Sequence, residues 1–498
     1  MRISEYFGLD RSQSELDFVD VDTFKDVPVY IDPSCIRRLS DDWSHRCDKQ
    51  LTTYFDSVLD AVRNDDDRRL MSLLSKLKEP NETHLGISKG KSAGRALGAR
   101  SIRTLARKLA ESKAARTGLI EDLEDTALFI DNVGKDVVSD ITTNIIRGTL
   151  ILYTQSVSRY YGIPMEEVWS GYVWDEKKFE WEDDYTELPT TEDGKLLLVP
   201  KVIVRNGLHM RKDEFFNKHL MPSLEKEELD NPSSKLVHRV KEGEKVIESV
   251  DRDKLKEHYG TSKSAISDLS ATRPAVLSNY KDKKKSTGSL PLSHSKLSAV
   301  TGSRPVNYRK LLRKVLETPF GADHAHAYHR HVEALFSAMF YPELSFPVKE
   351  NEINEGRKRI DIRYTNTSRR GFFSWLRDDP VVCRYVYVEC KNYARDIANP
   401  ELDQIASRFS SLRSEVGILT CRSFENKDLF LKRCRDTALA GRGYIFVLDD
   451  GDLKEMVNDI ESYFSNIEKK GAPKSGLDAP KDPWWFPKLH ERFSDMVS

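Results

Sequence analysis

Hydrophobic and polar positions alternate most regularly in the carboxy-terminal part of the chain, between residues 306 and 449. Apolar residues recur every three or four positions in four segments, which predicts amphipathic helices at 306–317, 331–341, 401–412 and 427–442. Other segments alternate apolar and polar residues or are continuously apolar, which predicts strands at 359–366, 382–392, 416–421 and 443–449. Helices and strands that alternate in this way predict an α/β domain built on a central sheet.

The amino-terminal part has a different pattern, in which helical spacing prevails. Residues 16–36 alternate apolar and acidic positions, which predicts two short strands or a strand and a turn, and 196–204 is apolar enough for a buried strand. Residues from about 40 to 165 have helical spacing, and 211–260 is a highly charged helical region. The sequence therefore predicts a mixed, largely helical domain over residues 1–260, with a sensing, regulatory or oligomerisation role.

A segment of different composition separates these two regions. Residues 261–304 are rich in Ser, Lys and Thr and have little apolar periodicity, which predicts a linker. The α/β domain then spans 305–465. Residues 466–498 form a tail in which two adjacent tryptophans, in the sequence PKDPWWF, are expected to dock on the domain. The overall prediction is an α/β multidomain protein.

The composition narrows the class of protein. Charged residues make up 32% and hydrophobic residues 39% of the chain, as in a globular rather than a disordered protein. The sequence has no apolar run long enough for a membrane span and no signal-peptide core at its start, and its six cysteines form no CxxC pair. We therefore expect a cytoplasmic protein without a membrane partner. The formal net charge is -1, so contact with nucleic acid requires a local basic patch.

Two carboxylates and a lysine lie on successive predicted strands. Glu389 and Lys391 are two apart on the strand at 382–392 and therefore project from the same face, with Cys390 on the other face. Asp361 lies on the preceding predicted strand, which would be its hairpin neighbour. We expect the three side chains to converge near the sheet edge.

This combination of residues suits phosphodiester hydrolysis. Two carboxylates hold a hard divalent cation such as Mg²⁺ through oxygen. The cation polarises the phosphorus centre and lowers the pKa of a bound water. The lysine orients or deprotonates the attacking water and offsets the charge of the transition state.

The arrangement resembles the PD-(D/E)XK nuclease family, in its Mrr-like branch. The matching residues are Ile360-Asp361 and Glu389-Cys390-Lys391, with isoleucine in place of the first motif's proline. The family often adds a glutamate on the opening helix and a glutamine on the helix after the second motif, which implies a metal-ligand role for Glu333 and a catalytic role for Gln404. The resemblance implies a restriction-endonuclease-like α/β/α sandwich with a Mg²⁺ site, where Mn²⁺ can substitute.

Two other interpretations of the same residues stay open. Glu389 and Lys391 form a surface pair on an edge strand in one, although the sequence VYVECK is very apolar for a solvated edge. In the other, the domain is a degenerate nuclease core that acts as a nucleic-acid-binding or oligomeric scaffold.

A basic segment lies at residues 86–116. Nine basic residues face one acid, Glu111. The candidates for contact with backbone phosphate are Arg95, Arg100, Arg103, Arg107 and Lys108. The alternative is a solvated helix face that pairs with nearby acidic segments.

A histidine-rich run, HAHAYHRH, precedes the second helix of the α/β domain. It contains His324, His326, His329 and His331. A metal site is conceivable there, but residues two apart do not share a helix face. We expect a loop and helix start near DNA or a subunit contact.

The sequence as a whole predicts metal-dependent cleavage of DNA phosphodiesters, with RNA left open as a substrate. It contains no helicase, methyltransferase or ATPase motif. A lone nuclease joined to an unfamiliar control domain resembles bacterial systems that restrict phage or foreign DNA, an analogy of architecture. A homo-oligomer and a partner defence protein are the expected assembly.

Overall fold

The computed structural model describes residues 1–86, 99–242, 245–353, 358–378, 381–393, 397–470 and 486–498. The chain divides into two compact units. The first consists of Met1, Val21–Val199 and Ile203–Leu292, and the second of Arg2–Asp20, Pro200–Val202 and Ser293–Ser498. The second unit therefore includes two short pieces of the amino-terminal half of the sequence.

The first unit is mostly helical. Its helices are Pro33–Ile36, Asp42–Arg63, Asp67–Leu74, Ala99–Glu111, Lys113–Arg116, Thr126–Phe129, Lys135–Ile145, Arg147–Tyr161, Lys212–Phe215, the π-helix Phe216–Leu220, Met221–Asp230, Arg252–Tyr259, Lys263–Thr272 and Pro274–Thr287. Its strands form antiparallel pairs: Tyr30–Ile31 with Val204–Arg205, Glu166–Trp169 with Tyr185–Leu188, Val173–Asp175 with Glu180–Glu182, Thr190–Thr191 with Gly194–Lys195, and Val237–Glu242 with Lys245–Val250. None of the described helices of the chain is long and apolar enough to cross a membrane.

The first unit contains less strand than predicted in two places and more in a third. Within the predicted strand region 16–36, only Tyr30–Ile31 forms a strand. Within the predicted strand 196–204, only Val204 is part of one. Residues 196–199 are nevertheless buried. An apolar run indicates that a segment is buried, but it does not show whether the segment pairs as a strand. The strand pair Val237–Glu242 and Lys245–Val250 lies inside the region 211–260 that was predicted as helix.

Residues 261–304, predicted as a linker, are instead mostly helical. The helices there are Lys263–Thr272, Pro274–Thr287 and His294–Thr301. Ile266 and Tyr280 are fully buried in the first unit. An ion pair of 2.8 Å also joins Lys281 of this segment to Asp125. The low apolar content of the segment thus led to the wrong prediction of a linker.

The second unit combines helices with one sheet. Its helices are α1 (Ile3–Tyr6), α2 (His294–Thr301), α3 (Tyr308–Leu316), α4 (Ala325–Met339), α5 (Gly371–Asp378), α6 (Asn399–Ala406), α7 (Lys427–Leu439), α8 (Asp450–Lys470) and α9 (Pro487–Val497). Its strands are β1 (Leu344–Ile353), β2 (Lys358–Asn366), β3 (Tyr385–Lys391), β4 (Val416–Cys421) and β5 (Tyr444–Leu448). The predicted strands and helices of the α/β domain are all present, with β1, α5 and α8 in addition. The helix α9 lies in the segment predicted as a tail, whose tryptophans Trp484 and Trp485 lie outside the described residues.

The five strands form one mixed sheet in the order β1-β2-β3-β4-β5. The pairs β1–β2 and β2–β3 are antiparallel, and the pairs β3–β4 and β4–β5 are parallel. Strand β3 is therefore the middle strand, and the buried site residues lie on it.

A row of apolar side chains crosses the sheet and fixes its register. Ile362, Val388, Ile418 and Phe446 are consecutive partners on β2, β3, β4 and β5, and each is fully buried. Burial of one such side chain contributes about 1.5–3 kcal/mol. If the pairing of a strand shifted by one residue, its apolar side chains would turn to the other face of the sheet. The fold would then lose several contributions of this size.

We predict that Gly443→Ala destabilises the second unit by roughly 3 kcal/mol or more. Gly443 precedes β5 with φ +95°, and an added Cβ would collide with the Phe409 ring and lie 2.7 Å from the carbonyl oxygen of Glu415. Gly441 is the matched control, because it also has positive φ (+67°) but open space around the added Cβ. Denaturant unfolding measures both, and equal losses for the two variants would contradict the packing argument.

Candidate functional site

Strand β3 presents its site residues on the face opposite the apolar row. Val386, Val388 and Cys390 belong to the main apolar core of the unit, whereas Tyr387 packs separately against Phe409, with 6.2 Å between ring centroids. Glu389 and Lys391 follow Tyr387 at two-residue spacing and share its face. Both are buried, and Glu389 is only 1% exposed. The alternative interpretation, a solvated pair on an edge strand, is therefore wrong.

Asp361 lies beside Glu389, where the pairing of β2 and β3 ends. The last paired residues are Ile362 and Val388, so the next positions along the two strands are Asp361 and Glu389. Asp361 Oδ2 accepts a hydrogen bond of 2.8 Å from the backbone N–H of Cys390. The structure thus brings the two predicted carboxylates together.

Glu389 lies in an environment that disfavours its negative charge. Neither of its carboxylate oxygens accepts a hydrogen bond from the described residues. Lys391 Nζ and Arg408 Nε each lie 3.6 Å from the carboxylate, as ion pairs. Burial and the neighbouring Asp361 carboxyl nevertheless raise the pKa of Glu389 to about 7, against the lowering effect of the two cations. Such a perturbed carboxyl is typical of functional sites.

Gln404 holds the lysine of the site. Its Oε1 atom accepts a hydrogen bond of 2.9 Å from Lys391 Nζ. Gln404 lies on α6, and Arg408 follows it by four residues, just past the end of the helix. The contribution of Arg408 was missed, although its four-residue spacing from Gln404 was a signal in the sequence.

Glu333 has a different environment from the one predicted for a metal ligand. It is buried on α4, and Arg11 Nη2 lies 2.6 Å from its Oε2 atom. Ser337 donates a hydrogen bond of 2.9 Å to its other oxygen. Because its charge is met by an arginine from the amino-terminal piece of the same unit, Glu333 acts as an internal ion-pair partner in this structure.

His329 lies at the site, one helical turn before Glu333 on α4. Its Nε2 atom lies 3.1 Å from the carbonyl oxygen of Cys390 and 3.7 Å from Asp361 Oδ2. Among the described residues, His329, Asp361 and Cys390 form the one group of three possible metal ligands whose ligand atoms all lie within 4.8 Å of one another. The sequence shows the histidine-rich run, but no feature of the sequence distinguishes His329 from the other histidines of that run.

The donors suit a divalent cation in their charge and burial. Asp361 and His329 are partly exposed, at 25% and 17% of their side chains, so a cation can reach them from solvent. Glu389 offers two buried oxygens that lack hydrogen-bond donors among the described residues. A cation beside these groups would compensate the charge that burial makes costly.

Part of the predicted basic surface lies on the helix Ala99–Glu111 of the first unit. Ile102 and Leu105 on its apolar face are buried, whereas Arg103 and Arg107 are exposed and one turn apart. Lys108 Nζ instead donates a hydrogen bond of 3.0 Å to the carbonyl oxygen of Asp131. Arg95 and the side chain of Arg100 lie outside the described residues.

We predict that Glu389→Gln, in the absence of divalent cations, raises the free energy of unfolding by on the order of 2 kcal/mol at pH 8. The raised pKa means that the folded protein binds a proton that the unfolded chain has lost. The stability from this group is present below the ordinary carboxyl pKa and is lost as pH rises through about 7. The advantage of the glutamine variant should therefore shrink toward pH 5.

Denaturant unfolding of wild type and variant between pH 5 and 8 measures this difference. Glu425→Gln is the control, because Glu425 is exposed. A difference between Glu389→Gln and wild type that stays constant with pH would show that Glu389 is not protonated in this range.

Comparison with known proteins gives one match. A family profile described as "Domain of unknown function (DUF8370)" matches residues 8–210. No curated protein and no solved structure matches the chain. The matched segment contains Arg11, Arg103 and Arg107 but ends well before Asp361, so it covers none of the strand residues of the site. The chain is thus similar to this family over residues 8–210.

Proposed function

We propose that the second unit is a divalent-metal-dependent nuclease of the PD-(D/E)XK type, which hydrolyses phosphodiester bonds of DNA. The observation that carries the proposal is the buried Glu389 carboxylate, which lies beside Asp361 and 3.6 Å from Lys391 Nζ. A buried carboxylate beside a second carboxylate and a lysine is costly to a fold and suits a cation and a phosphate group. The middle position of β3 in a mixed sheet agrees with the proposed restriction-endonuclease-like sandwich.

Asp361 and Glu389 are the residues that would hold the cation, Mg²⁺ or Mn²⁺. The bound cation would supply Lewis-acid polarisation of a phosphate oxygen and a water of lowered pKa. Asp361 is fixed for this role because the Cys390 N–H holds its Oδ2 atom at 2.8 Å. The cation would also give the Glu389 carboxylate a positive partner. No described residue donates a hydrogen bond to that carboxylate.

Lys391 brings a fixed positive charge to the place where phosphate charge would develop. Its Nζ atom donates a hydrogen bond of 2.9 Å to the Gln404 Oε1 atom, which restrains the long side chain. A cation that is already oriented stabilises developing negative charge without reorganisation during the reaction. Gln404 is thus proposed as a positioning residue for Lys391, and Arg408 as the group that offsets part of the Glu389 charge.

The biological role is proposed from architecture. The chain combines the proposed nuclease core with a helical unit, part of which is similar to a domain of unknown function, and it has no helicase, methyltransferase or ATPase motif. This architecture fits restriction of phage or other foreign DNA in the cytoplasm. The helical unit is then the control element, and a homo-oligomer or a partner defence protein is the proposed means of control.

We predict that Asp361→Asn, Glu389→Gln and Lys391→Ala each reduce DNA cleavage by roughly 100-fold or more. The first two variants should also bind Mg²⁺ or Mn²⁺ more weakly, because each removes a ligand charge. Lys391→Ala should retain the cation, because an ammonium group does not ligate a metal. Plasmid nicking and calorimetric metal titration, with EDTA as the blank, separate the two effects.

Lys432→Ala is the matched control for loss of a lysine, because Lys432 lies exposed on α7. It should cleave at the wild-type rate. Cleavage by Lys391→Ala at the wild-type rate would refute the mechanism. Binding of DNA by the wild type without any metal-dependent cleavage would favour the degenerate scaffold.

We also predict that Arg103→Ala with Arg107→Ala weakens DNA binding for all sequences alike. Loss of two phosphate contacts should lower the slope of log affinity against log salt by about two. The control is Lys177→Ala with Lys178→Ala, which removes the same charge from exposed positions in an acidic region. An equal salt slope in both double variants would mean that the basic helix is only a solvated face.

A further inference from the structure

His329 adds a nitrogen donor to a group of residues otherwise typical of an oxygen-ligand site. Its ring nitrogen, the Asp361 carboxylate and the Cys390 sulfur lie within 4.8 Å of one another. The three come from α4, β2 and β3, so the packing of one helix against two adjacent strands brings the donors together. Three protein donors are the number found in catalytic zinc sites.

The imidazole is directed at this group by its present contacts. His329 Nε2 lies 3.1 Å from the Cys390 carbonyl oxygen and 3.7 Å from Asp361 Oδ2. Asp361 Oδ2 in turn accepts the Cys390 N–H at 2.8 Å. A ligand role for Nε2 places the ring proton on Nδ1, so a metal bond would replace the present contact with the carbonyl.

The donor types decide which cation is preferred. Mg²⁺ favours oxygen ligands and retains its waters, whereas imidazole and thiolate favour first-row transition cations. We infer that His329, Asp361 and Cys390 form a transition-metal site, so that this protein binds Zn²⁺ and Co²⁺ in preference to Mg²⁺. The inference rests on the proposed function only in that the two sets of ligands share Asp361.

The neighbouring histidines provide internal controls. His331 Nδ1 lies 2.9 Å from the hydroxyl of Thr318 and belongs to a different contact. The ring of His326 lies 6.4 Å from that of His329, centroid to centroid, and His326 is not one of the three grouped ligands. If the histidine-rich run bound metal through its composition alone, all of these residues would contribute equally.

The test is metal titration of the full chain with Co²⁺, Zn²⁺, Mn²⁺ and Mg²⁺, followed by calorimetry and by Co²⁺ absorption. His329→Ala should weaken Co²⁺ and Zn²⁺ binding by roughly 10- to 100-fold, and Mg²⁺ binding should change much less. Cys390→Ser should remove the thiolate-to-Co²⁺ charge-transfer absorption. His326→Ala should bind all four cations as the wild type does.

His329→Gln guards against a trivial loss of folding, because its amide keeps a donor for the Cys390 carbonyl but is a poor transition-metal ligand. Thermal unfolding of each variant without metal shows whether it is folded. Equal affinity for Co²⁺ and Mg²⁺ in the wild type would overturn the inference. Unchanged or tighter Co²⁺ binding by a folded His329→Ala or His329→Gln would also overturn it.

Cleavage assays separate this inference from the proposed function. If cleavage depends on Asp361 and Glu389 but metal preference does not depend on His329, the nuclease proposal stands and the inference fails. If Co²⁺ binding depends on His329 and no cation supports cleavage, the metal site stands and the nuclease proposal fails.

Discussion

The register of β3 is the constraint on which the candidate site depends. The buried row of Ile362, Val388 and Ile418 with Phe446 crosses four strands and allows one alignment of side chains. Because successive side chains on a strand point to opposite faces, fixing Val388 in the core also fixes Glu389 on the other face. Burial of apolar residues that take no part in the chemistry thus places a carboxylate where water and hydrogen-bond donors are scarce.

Compensation of charge at that carboxylate explains the residues around it. Burial alone would favour a protonated Glu389, and Asp361 adds a second acid beside it. Lys391 and Arg408 lower the cost without removing it, so the pKa remains raised. A site in which the ionised form is still disfavoured is poorly explained as a stabilising ion pair, since ion pairs in the interior rarely repay desolvation. The proposed cation would give these four side chains a common role.

The second unit is discontinuous in sequence, and this changes how its boundaries should be understood. Residues 2–20 and 200–202 belong to it together with 293–498. Arg11 pairs with the buried Glu333, and Lys201 Nζ donates a hydrogen bond of 3.1 Å to the carbonyl oxygen of Ser14. A fragment limited to 305–465 would leave Glu333 without this arginine, at a cost of several kcal/mol for a buried charge.

The sequence by itself determined strands β2 to β5, helices α3, α4, α6 and α7, and the meeting of Asp361, Glu389 and Lys391, because two-residue alternation and the order of strands along the chain are local properties. It also singled out Gln404 by resemblance, without its partner. Tertiary structure decided what no local pattern encodes: that Glu333 pairs with Arg11, that His329 alone of its run faces Asp361, and that 261–304 folds as helices. These depend on contacts between residues distant in the sequence, where burial and charge are set by whichever side chains the fold brings together.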